Sequence, residues 1–253
     1  MDSMTDFDKR STARRRRLLV MFTPSLSPSL AAVPASERAA ALGRKSRFWN
    51  RIARKYAADA IADVAGYETT LKRVQDLLSV DYDVLELGCG TGTIALRLAP
   101  FTRRLRATDA STEMIAISRE KLAAAPTPNL SFEVAEADAP AVAPGSQDVV
   151  LAFSLLHLVD DLDYTLAVVA HALRPGGLLL AKTPCVGEMS PLITRLALPL
   201  MRALGKAPPV LCFNAPELQA AIVRQGLEVL AVERHGTRKD KDIRLFTVAR
   251  KPA

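Results

Sequence analysis

The sequence is poor in cysteine and has no long apolar run. Its three cysteines, Cys89, Cys185 and Cys212, are odd in number and scattered along 253 residues, so they form neither a disulfide framework nor a metal-spaced cluster. No apolar stretch reaches the ~18 residues that a membrane-spanning helix requires. We therefore expect a reducing, cytoplasmic setting, with the cysteines as small apolar packing residues.

The net charge of +7 lies largely near the start of the chain. Residues 1–44 hold eight Lys and Arg against four acids, which accounts for +4 of it. The stretch "RRRRLLVMFTPSLSPSL" has the outline of an export signal, but prolines and serines interrupt its apolar part. We interpret residues 1–43 as a disordered basic leader. A targeting signal, a start assigned too early and a surface anchor in peripheral contact with a membrane stay open.

From residue 44 onward, helical and strand patterns alternate. "RKSRFWNRIARKYAADAIADVA" (44–65) has apolar residues at helical spacing, and a second helix is predicted over about 69–78. "DYDVLELG", "RLRATD", "NLSFEVAEAD", "QDVVLAFSLL" and "GLLLAKTP" are typical of buried strands separated by helices. These repeated units predict one domain over 44–253, a three-layer Rossmann-like α/β fold with a seven-stranded, mostly parallel sheet.

The C-terminal part departs from this alternation. "LEVLAVERH" and "IRLFTVARK" are joined by a short polar link, which predicts a β-hairpin and one antiparallel strand. Before it, residues 186–214 form an insertion whose apolar positions run nearly all round a helix, as in a helix that is buried or covers an apolar ligand. Pro199 is expected to kink this helix. We interpret the insertion as a cap over the substrate.

The segment "LELGCGTG" combines an acid with a glycine turn after the first strand. Gly88, Gly90 and Gly92 let the backbone turn sharply and approach a ligand. The spacing is G-x-G-x-G, whereas dinucleotide folds use G-x-G-x-x-G. Glu86 in the same corner would repel a pyrophosphate but attract an ammonium group. The turn is therefore predicted to bind the head group of an amino acid.

Two further acids end the next strands. Asp109 closes the second strand, where an acid commonly holds a ribose diol. Asp138 follows the third strand and is placed to accept from an adenine amino group, while the Ala139 N–H serves a ring nitrogen. Met114, one helical turn past Asp109, packs on a base face. Amino acid, ribose and adenine in this order describe S-adenosylmethionine.

The segments "VLELGCGTG", "ATDASTEMI", "AEADAP", "QDVVLAFSLLHLVDD" and "LRPGGLLLAKTP" resemble, in order and spacing, the motifs of class I S-adenosylmethionine-dependent methyltransferases. The chain is most similar to the small-molecule branch that includes ubiquinone and menaquinone biosynthesis C-methyltransferases. "FWNRIARKYA" resembles the helix that covers the cofactor in that branch. The resemblance implies a cofactor site of Glu86, Gly88, Cys89, Gly90 and Gly92 for the methionine part, Asp109 for the ribose, Ala110, Met114, Asp138 and Ala139 for the base, Phe153 and Ser154 near the sulfonium, and Tyr56 and Arg51 from the N-terminal helix.

Several of these positions have a structural alternative. Asp138 is also suited to be a helix N-cap, and Met114 and Phe153 to be core residues. Tyr56 is equally suited to helix packing. These alternatives stay open at the level of sequence.

His157 is the candidate general base for the methyl acceptor. It follows the fourth strand on the rim where this fold places substrates, and an imidazole titrates near neutrality. A purely structural role in its loop stays open, and we interpret His171 and His235 as structural or exposed. Asp160, Asp161 and Asp163 are better explained by helix capping than by a metal, so no metal site is expected.

We therefore predict methyl transfer from S-adenosylmethionine to an oxygen or carbon of a small hydrophobic molecule. An RNA or protein methyltransferase is one alternative, although no nucleic-acid module is visible. A noncatalytic protein with the same fold is another. The glycine spacing and Glu86 count against a nicotinamide-dependent oxidoreductase, and the sequence leaves the oligomeric state undetermined.

Overall fold

The computed structural model describes residues 35–237 and 243–253, with side chains from Ser46 onward. Seven strands form one sheet in the order β3-β2-β1-β4-β5-β7-β6. Strands β1 to β5 pair in parallel, and β7 pairs antiparallel to both β5 and β6. The predicted fold is confirmed, hairpin included. The strands are β1 Asp83–Leu87, β2 Arg104–Asp109, β3 Leu130–Val134, β4 Gln147–Phe153, β5 Leu173–Pro184, β6 Glu228–Arg234 and β7 Arg244–Arg250.

Helices cover both faces of the sheet because successive residues of a strand point to opposite sides. In β4, Val150 and Ala152 pack in one apolar cluster with α5 and α7, whereas Val149 and Leu151 pack in another with α2, α3 and α4. The core thus has two apolar layers with the sheet between them. The helices are α1 Ala35–Ala58, α2 Val64–Gln75, α3 Thr93–Leu98, α4 Thr112–Ala124, α5 Leu162–Ala172, α6 Leu198–Ala203 and α7 Ala215–Arg224.

Some predicted boundaries were wrong. Helix α1 begins at Ala35 and ends at Ala58, whereas the pattern indicated 44–65. The third strand ends at Val134 and leaves 135–138 in a loop. The Pro-Gly-Gly segment at residues 175–177 lies inside β5. The pairing of β5 with β4 jumps there from Leu173 to Leu178, so this segment forms a bulge in the strand. Residues 1–34 of the predicted leader lie outside the described residues.

The predicted cap helix is not buried. The insertion contains a 3-10 turn (Val186–Glu188), a π-helical turn (Ile193–Ala197) and α6. No residue of the π-helical turn or of α6 is buried. The π-helical turn ends at Ala197, two residues before Pro199, consistent with local adjustment of the helix where proline removes a donor. Within the described residues, no helix is long and apolar enough to cross a membrane.

Helix α1 is fastened to α4 at the carboxyl edge of the sheet. The Asn50 side-chain oxygen accepts hydrogen bonds from Ser111 Oγ at 2.6 Å and from the Glu113 N–H at 3.3 Å. One turn on, Arg54 forms a bidentate ion pair with Glu120. Between them, Ala53, Met114, Ile117 and Trp49 form a small apolar cluster. These contacts hold α1 across the edge where β1 and β2 end.

We predict that Asn50→Ala loosens α1 and lowers the free energy of unfolding by about 1 kcal/mol, since it removes the acceptor of these hydrogen bonds. Trp49 is the single tryptophan of the chain and packs beside this contact, so its emission should shift to longer wavelength. Urea unfolding followed by tryptophan fluorescence measures both effects. Val80→Ala, in an exposed loop, is the control and should change neither; an unchanged Asn50→Ala would contradict the role given to this contact.

Candidate functional site

A cavity of about 280 Å³ opens at the carboxyl ends of β1, β2 and β4, beneath α1. Ligands of open α/β sheets bind at this edge, where the strand order reverses. Here the reversal lies between β1 and β4. The lining residues are Ser46, Trp49 and Tyr56 from α1, Gly88 and Gly90 from the turn after β1, Asp109, Ala110 and Met114 after β2, Ala135 to Asp138 after β3, and Phe153, Ser154, Leu155, His157, Leu158, Val159, Asp160 and Thr165 after β4.

Glu86 carries a buried carboxylate that lacks a partner. Its side chain sits in β1, 1% exposed, and Oε2 has no hydrogen bond within the part of the chain that the structure describes. Burial, followed by the nearby negative charge of Asp109, raises the pKa of Glu86 to about 8. Buried carboxylates are normally paired. The unpaired Oε2 lies behind the cavity wall, near the lining residue Asp109, and fits a ligand that brings a cation or a hydrogen-bond donor.

Glycine is required at two positions of the turn, Gly90 and Gly92, for different structural reasons. A Cβ at Gly90 would find only Tyr56 Cε1, at 4.0 Å, whereas a Cβ at Gly92 would meet Phe132 Cζ at 2.6 Å and Ser118 Oγ at 2.8 Å. Both have φ in the left-handed region, +55° and +73°. Gly92 is therefore required by packing, while Gly90 leaves open space at the cavity wall for a ligand to approach the backbone.

Asp109 is held at the end of β2 by two backbone donors. Oδ2 accepts from the Gly90 N–H at 2.9 Å and Oδ1 accepts from the Ser111 N–H at 2.8 Å. Burial raises the pKa of Asp109, and these two hydrogen bonds oppose the rise. Each carboxylate oxygen keeps a second lone pair. The carboxylate is thus oriented by the turn and still able to accept from the two hydroxyls of a ribose.

The loop after β3 already uses the donor of one predicted contact. The Ala139 N–H donates to the Glu136 carbonyl at 3.1 Å, and Ala139 does not line the cavity. Its hydrogen bond to a ring nitrogen stays a prediction. Asp138 does line the cavity, and no helix follows it, so the alternative of a helix N-cap is wrong.

The segment after β4 brings a strained residue and a histidine to the cavity. Ser154 has φ +52°, a region that costs a non-glycine residue energy, and its N–H donates to the Lys182 carbonyl at 2.6 Å. His157 is half-buried, and its Nδ1 is buried without a partner among the described residues. Burial lowers the pKa of His157 to about 4. The ring is therefore neutral at physiological pH.

Five predicted residues do not line the cavity directly. Glu86 is buried in β1 behind the turn. Arg51 donates from Nη2 to the Gly205 carbonyl at 2.5 Å, so it connects α1 to the insertion. Cys89 is also buried behind the turn, and Gly92 packs on Phe132. Ala139 is the fifth. Predicted residues that the structure does bring together at the cavity are Tyr56, Gly88, Gly90, Asp109, Ala110, Met114, Asp138, Phe153, Ser154 and His157.

Sequence reasoning missed Trp49 and Glu136, both of which line the cavity. Trp49 stacks edge-on against Tyr56, with ring centroids 6.1 Å apart. A second aromatic residue two turns before Tyr56 on a covering helix was a usable signal. Glu136 lies two residues before Asp138 in "AEADAP", and only the path of that loop decides that both reach the cavity.

The acids after β4 have structural partners. Asp161 is the N-cap of α5 and accepts from the Tyr164 N–H at 2.9 Å, as predicted. Asp163 instead pairs with Arg224 of α7. Among the described residues, no group of three or more His, Cys, Asp or Glu side chains is arranged to hold a metal ion. His171 is exposed, and His235 is buried between Thr70 and Glu233, so both have the structural or exposed positions predicted for them.

Comparison with known proteins agrees with this geometry. Residues 84–177 match the model of a methyltransferase domain. The match covers less than half of the chain. The seven-stranded sheet and the cavity at its switch point resemble the arrangement of class I S-adenosylmethionine-dependent methyltransferases.

Individual relatives cover only part of this chain. A ubiquinone biosynthesis O-methyltransferase of Sinorhizobium fredii (strain NBRC 101917 / NGR234) is 33% identical over 100 residues, 40% of either protein. The chain spans about half the length, or less, of the first curated relatives it matches. An S-adenosylmethionine-dependent methyltransferase structure from Mesorhizobium loti has a TM-score of 0.60 at 20% identity, covering 74% of this chain and 98% of that one.

A structure of the [4+2]-cyclase SpnF aligns with a TM-score of 0.57 at 18% identity, covering 72% of this chain and 80% of that one. The likeness to both solved structures concerns the fold. Since one of these two structures is that of a cyclase, the activity has to be argued from the site.

The residues of the methyltransferase domain fit S-adenosylmethionine as cofactor. The unpaired Glu86 carboxylate suits its ammonium group, the open backbone at Gly90 suits close approach of the methionine part, and the oriented Asp109 carboxylate suits the ribose. Met114 and Asp138 are placed at the cavity for the adenine. The groups around the cavity thus fit, one after another, the successive parts of S-adenosylmethionine.

We predict that Gly90→Ala and Gly92→Ala fail for different reasons. Both place a side chain at positive φ, which costs about 1 kcal/mol or more. Gly92→Ala also clashes with Phe132 and should be the less stable by 1–3 kcal/mol. Gly90→Ala should stay folded but bind S-adenosylhomocysteine at least tenfold more weakly. Thermal unfolding and calorimetric titration measure the two effects; equal ligand affinity in Gly90→Ala and the wild type would contradict close approach of the ligand.

We predict that Glu86→Gln stabilises the free protein and weakens cofactor binding. The pKa of Glu86 is raised by folding, so the wild type loses stability as pH rises from about 4.5 towards 8, and glutamine has no such loss. The melting temperature of Glu86→Gln should exceed that of the wild type at pH 7, and the difference should shrink towards pH 4.5. The test is a series of thermal melts without ligand between pH 4.5 and 8. A pH-independent difference would contradict the assigned pKa.

Proposed function

We propose that this protein transfers the methyl group of S-adenosylmethionine to an oxygen or carbon atom of a small hydrophobic molecule. The unpaired buried carboxylate of Glu86 carries the proposal, because it needs a cationic ligand and lies beside the Asp109 carboxylate and the open turn at Gly90. The named activity of the O-methyltransferase relatives supports an oxygen acceptor. Those relatives match only part of this chain, so the acceptor stays a proposal.

The protein's own groups would bind and orient the donor. When bound, S-adenosylmethionine would supply the methyl group: the acceptor atom would form a bond to the methyl carbon as the carbon–sulfur bond breaks in line, leaving S-adenosylhomocysteine. The protein contributes alignment and exclusion of water, which account for much of the rate in such displacements. Phe153 and Ser154 would flank the sulfonium, since they end the central strand β4 and line the cavity.

His157 would accept the proton of the acceptor. Its ring is neutral, because burial lowers its pKa, and its Nδ1 lacks a partner in the described part of the chain. A hydroxyl or acidic carbon placed against Nδ1 would give this nitrogen its missing hydrogen bond and transfer a proton during methylation. The Leu211 N–H donates to the His157 carbonyl at 2.8 Å, which fixes the histidine backbone.

An apolar acceptor is supported by the cavity wall around His157. Leu155, Leu158 and Val159 line it on one side, and Trp49 lines it from α1. Burying apolar surface here would favour a hydrophobic molecule by about 25 cal/mol per Å² removed from water. A small molecule is the proposed partner; nucleic acid is not proposed.

The remaining expectations stay proposals. Residues 1–43 are proposed as a basic leader, of which residues 35–43 lie in the first part of helix α1. A cytoplasmic setting is proposed from the three free cysteines, two of them buried. Methylation of RNA or protein alone would favour an RNA or protein substrate. Cofactor binding without methyl transfer would favour a noncatalytic role.

The experiment is methyl transfer from radiolabelled S-adenosylmethionine to a panel of lipophilic phenols and β-dicarbonyl compounds, with polar amines, RNA and protein as contrasts. We expect label in the hydrophobic hydroxyl or carbon acceptors. His157→Ala should lower kcat by 10²- to 10⁴-fold, typical for a lost general base, with S-adenosylhomocysteine affinity unchanged in calorimetry.

His171→Ala is the matched control, because this histidine is exposed on α5, and it should behave as the wild type. Label only in amines, RNA or protein would refute the proposed acceptor class. Cofactor binding without transfer to any acceptor would favour the noncatalytic alternative, and absence of cofactor binding would refute the proposal as a whole.

A further inference from the structure

The helical part of the insertion exposes a continuous set of large apolar side chains. Residues 191–204, here called the apolar segment, hold six of them, each between 40% and 67% exposed, and no residue of its π-helical turn or of α6 is buried. A short helix gains little stability in water without burying an apolar face. Contiguous exposed apolar surface marks an interaction site. The six residues are Leu192, Ile193, Leu196, Leu200, Met201 and Leu204.

The apolar segment is anchored at both ends, so its exposure is not that of a free end. Before it, the Gly187 N–H donates to the Phe213 carbonyl at 2.9 Å. After it, the Gly205 carbonyl accepts from Arg51 of α1. The Leu211 N–H then donates to the carbonyl of His157, a cavity residue. These contacts tie the segment to elements that form the candidate active site.

The charges around the apolar segment are all of one sign. The sequence has no Asp or Glu from Met189 to Pro216, whereas Arg195, Arg202 and Lys206 lie within or directly after the segment. Arg195 and Arg202 are exposed. None of the three cations forms an ion pair within residues 46–237 and 243–253. The face therefore presents aliphatic side chains among unneutralised positive charges.

Exposed aliphatic side chains together with positive charges favour one kind of binding partner for the apolar segment. A second copy of the chain, docked by twofold symmetry, would bring the same three cations against one another, which is unfavourable. An anionic lipid surface neutralises the cations and receives the aliphatic side chains at the boundary of headgroups and acyl chains, as in interfacial helices. Charge complementarity thus favours the lipid surface over a copy of the chain.

We propose that residues 191–204 dock the protein on a membrane that contains anionic lipids, with the leucines in the interfacial layer and Arg195, Arg202 and Lys206 against the headgroups. This site goes beyond the proposed methyl transfer and does not depend on it. It is also distinct from the basic leader of residues 1–43.

The experiment is co-sedimentation of the full chain with vesicles of phosphatidylcholine alone, or of phosphatidylcholine with about one third phosphatidylglycerol. We expect binding to the anionic vesicles and little to the neutral ones. The double variant Arg195→Gln/Arg202→Gln should bind anionic vesicles about 30-fold more weakly, from about fivefold for each cation near such a surface. The double variant Leu196→Ser/Leu200→Ser should bind at least about tenfold more weakly.

The control Val80→Ser/Val223→Ser removes two apolar side chains of similar exposure, 66% and 58%, elsewhere on the molecule, and should bind as the wild type. Circular dichroism verifies that each variant is folded. Retained vesicle binding in Leu196→Ser/Leu200→Ser would assign it to another part of the chain, the leader included, and overturn the proposal. So would failure of the wild type to bind, or a dimer in sedimentation equilibrium that this variant abolishes. S-adenosylhomocysteine affinity, measured in parallel without vesicles, tests the proposed function separately.

Discussion

The buried carboxylate of Glu86 is the constraint on which the site depends. It lies in the central strand β1, between two apolar layers, with Oε2 unpaired among the described residues and the Asp109 charge nearby. Such an arrangement opposes folding at neutral pH, because the low-dielectric interior disfavours the ionised form. Proteins keep groups of this kind where a ligand supplies the missing partner. The surrounding turn is shaped to bring that partner in.

The neighbouring elements orient the rest of the site through shared hydrogen bonds. The Gly90 N–H fixes Asp109, and Ser118 of α4 donates to the Gly90 carbonyl at 3.0 Å. The same α4 receives Asn50 of α1 at its first turn. The glycine turn, the Asp109 carboxylate and the covering helix α1 are therefore all positioned through α4. A displacement of α4 would alter all three sets of contacts together.

The two proposals meet at the insertion. An apolar acceptor has low solubility in water and concentrates in lipid. A segment that rests on a membrane and is tied by Arg51 and Leu211 to α1 and the His157 loop would hold the cavity close to that supply. The proposed acceptor class and the proposed docking surface thus support each other, although each stands on different residues.

The local sequence was sufficient for the fold, for the acids at the ends of β1 and β2, and for the glycine turn. Strand and helix periodicity follow from which residues must be buried, and a parallel sheet brings its strand ends to one edge. Glu86, Gly90 and Asp109 could be located because their positions depend on nearby backbone, while their roles in binding stay predictions. The motif alone did not separate Gly90, which leaves space for a ligand, from Gly92, which is needed for packing.

Only the tertiary structure decided the contacts made by loops and by the insertion. Trp49 and Glu136 reach the cavity because of how α1 and residues 135–138 cross it, and the Ala139 N–H is used within its own turn. Residues 191–204 have the composition of a buried helix yet are exposed. The hydropathy of a segment indicates how much apolar surface it has to bury. What packs against that surface depends on distant residues or on another molecule.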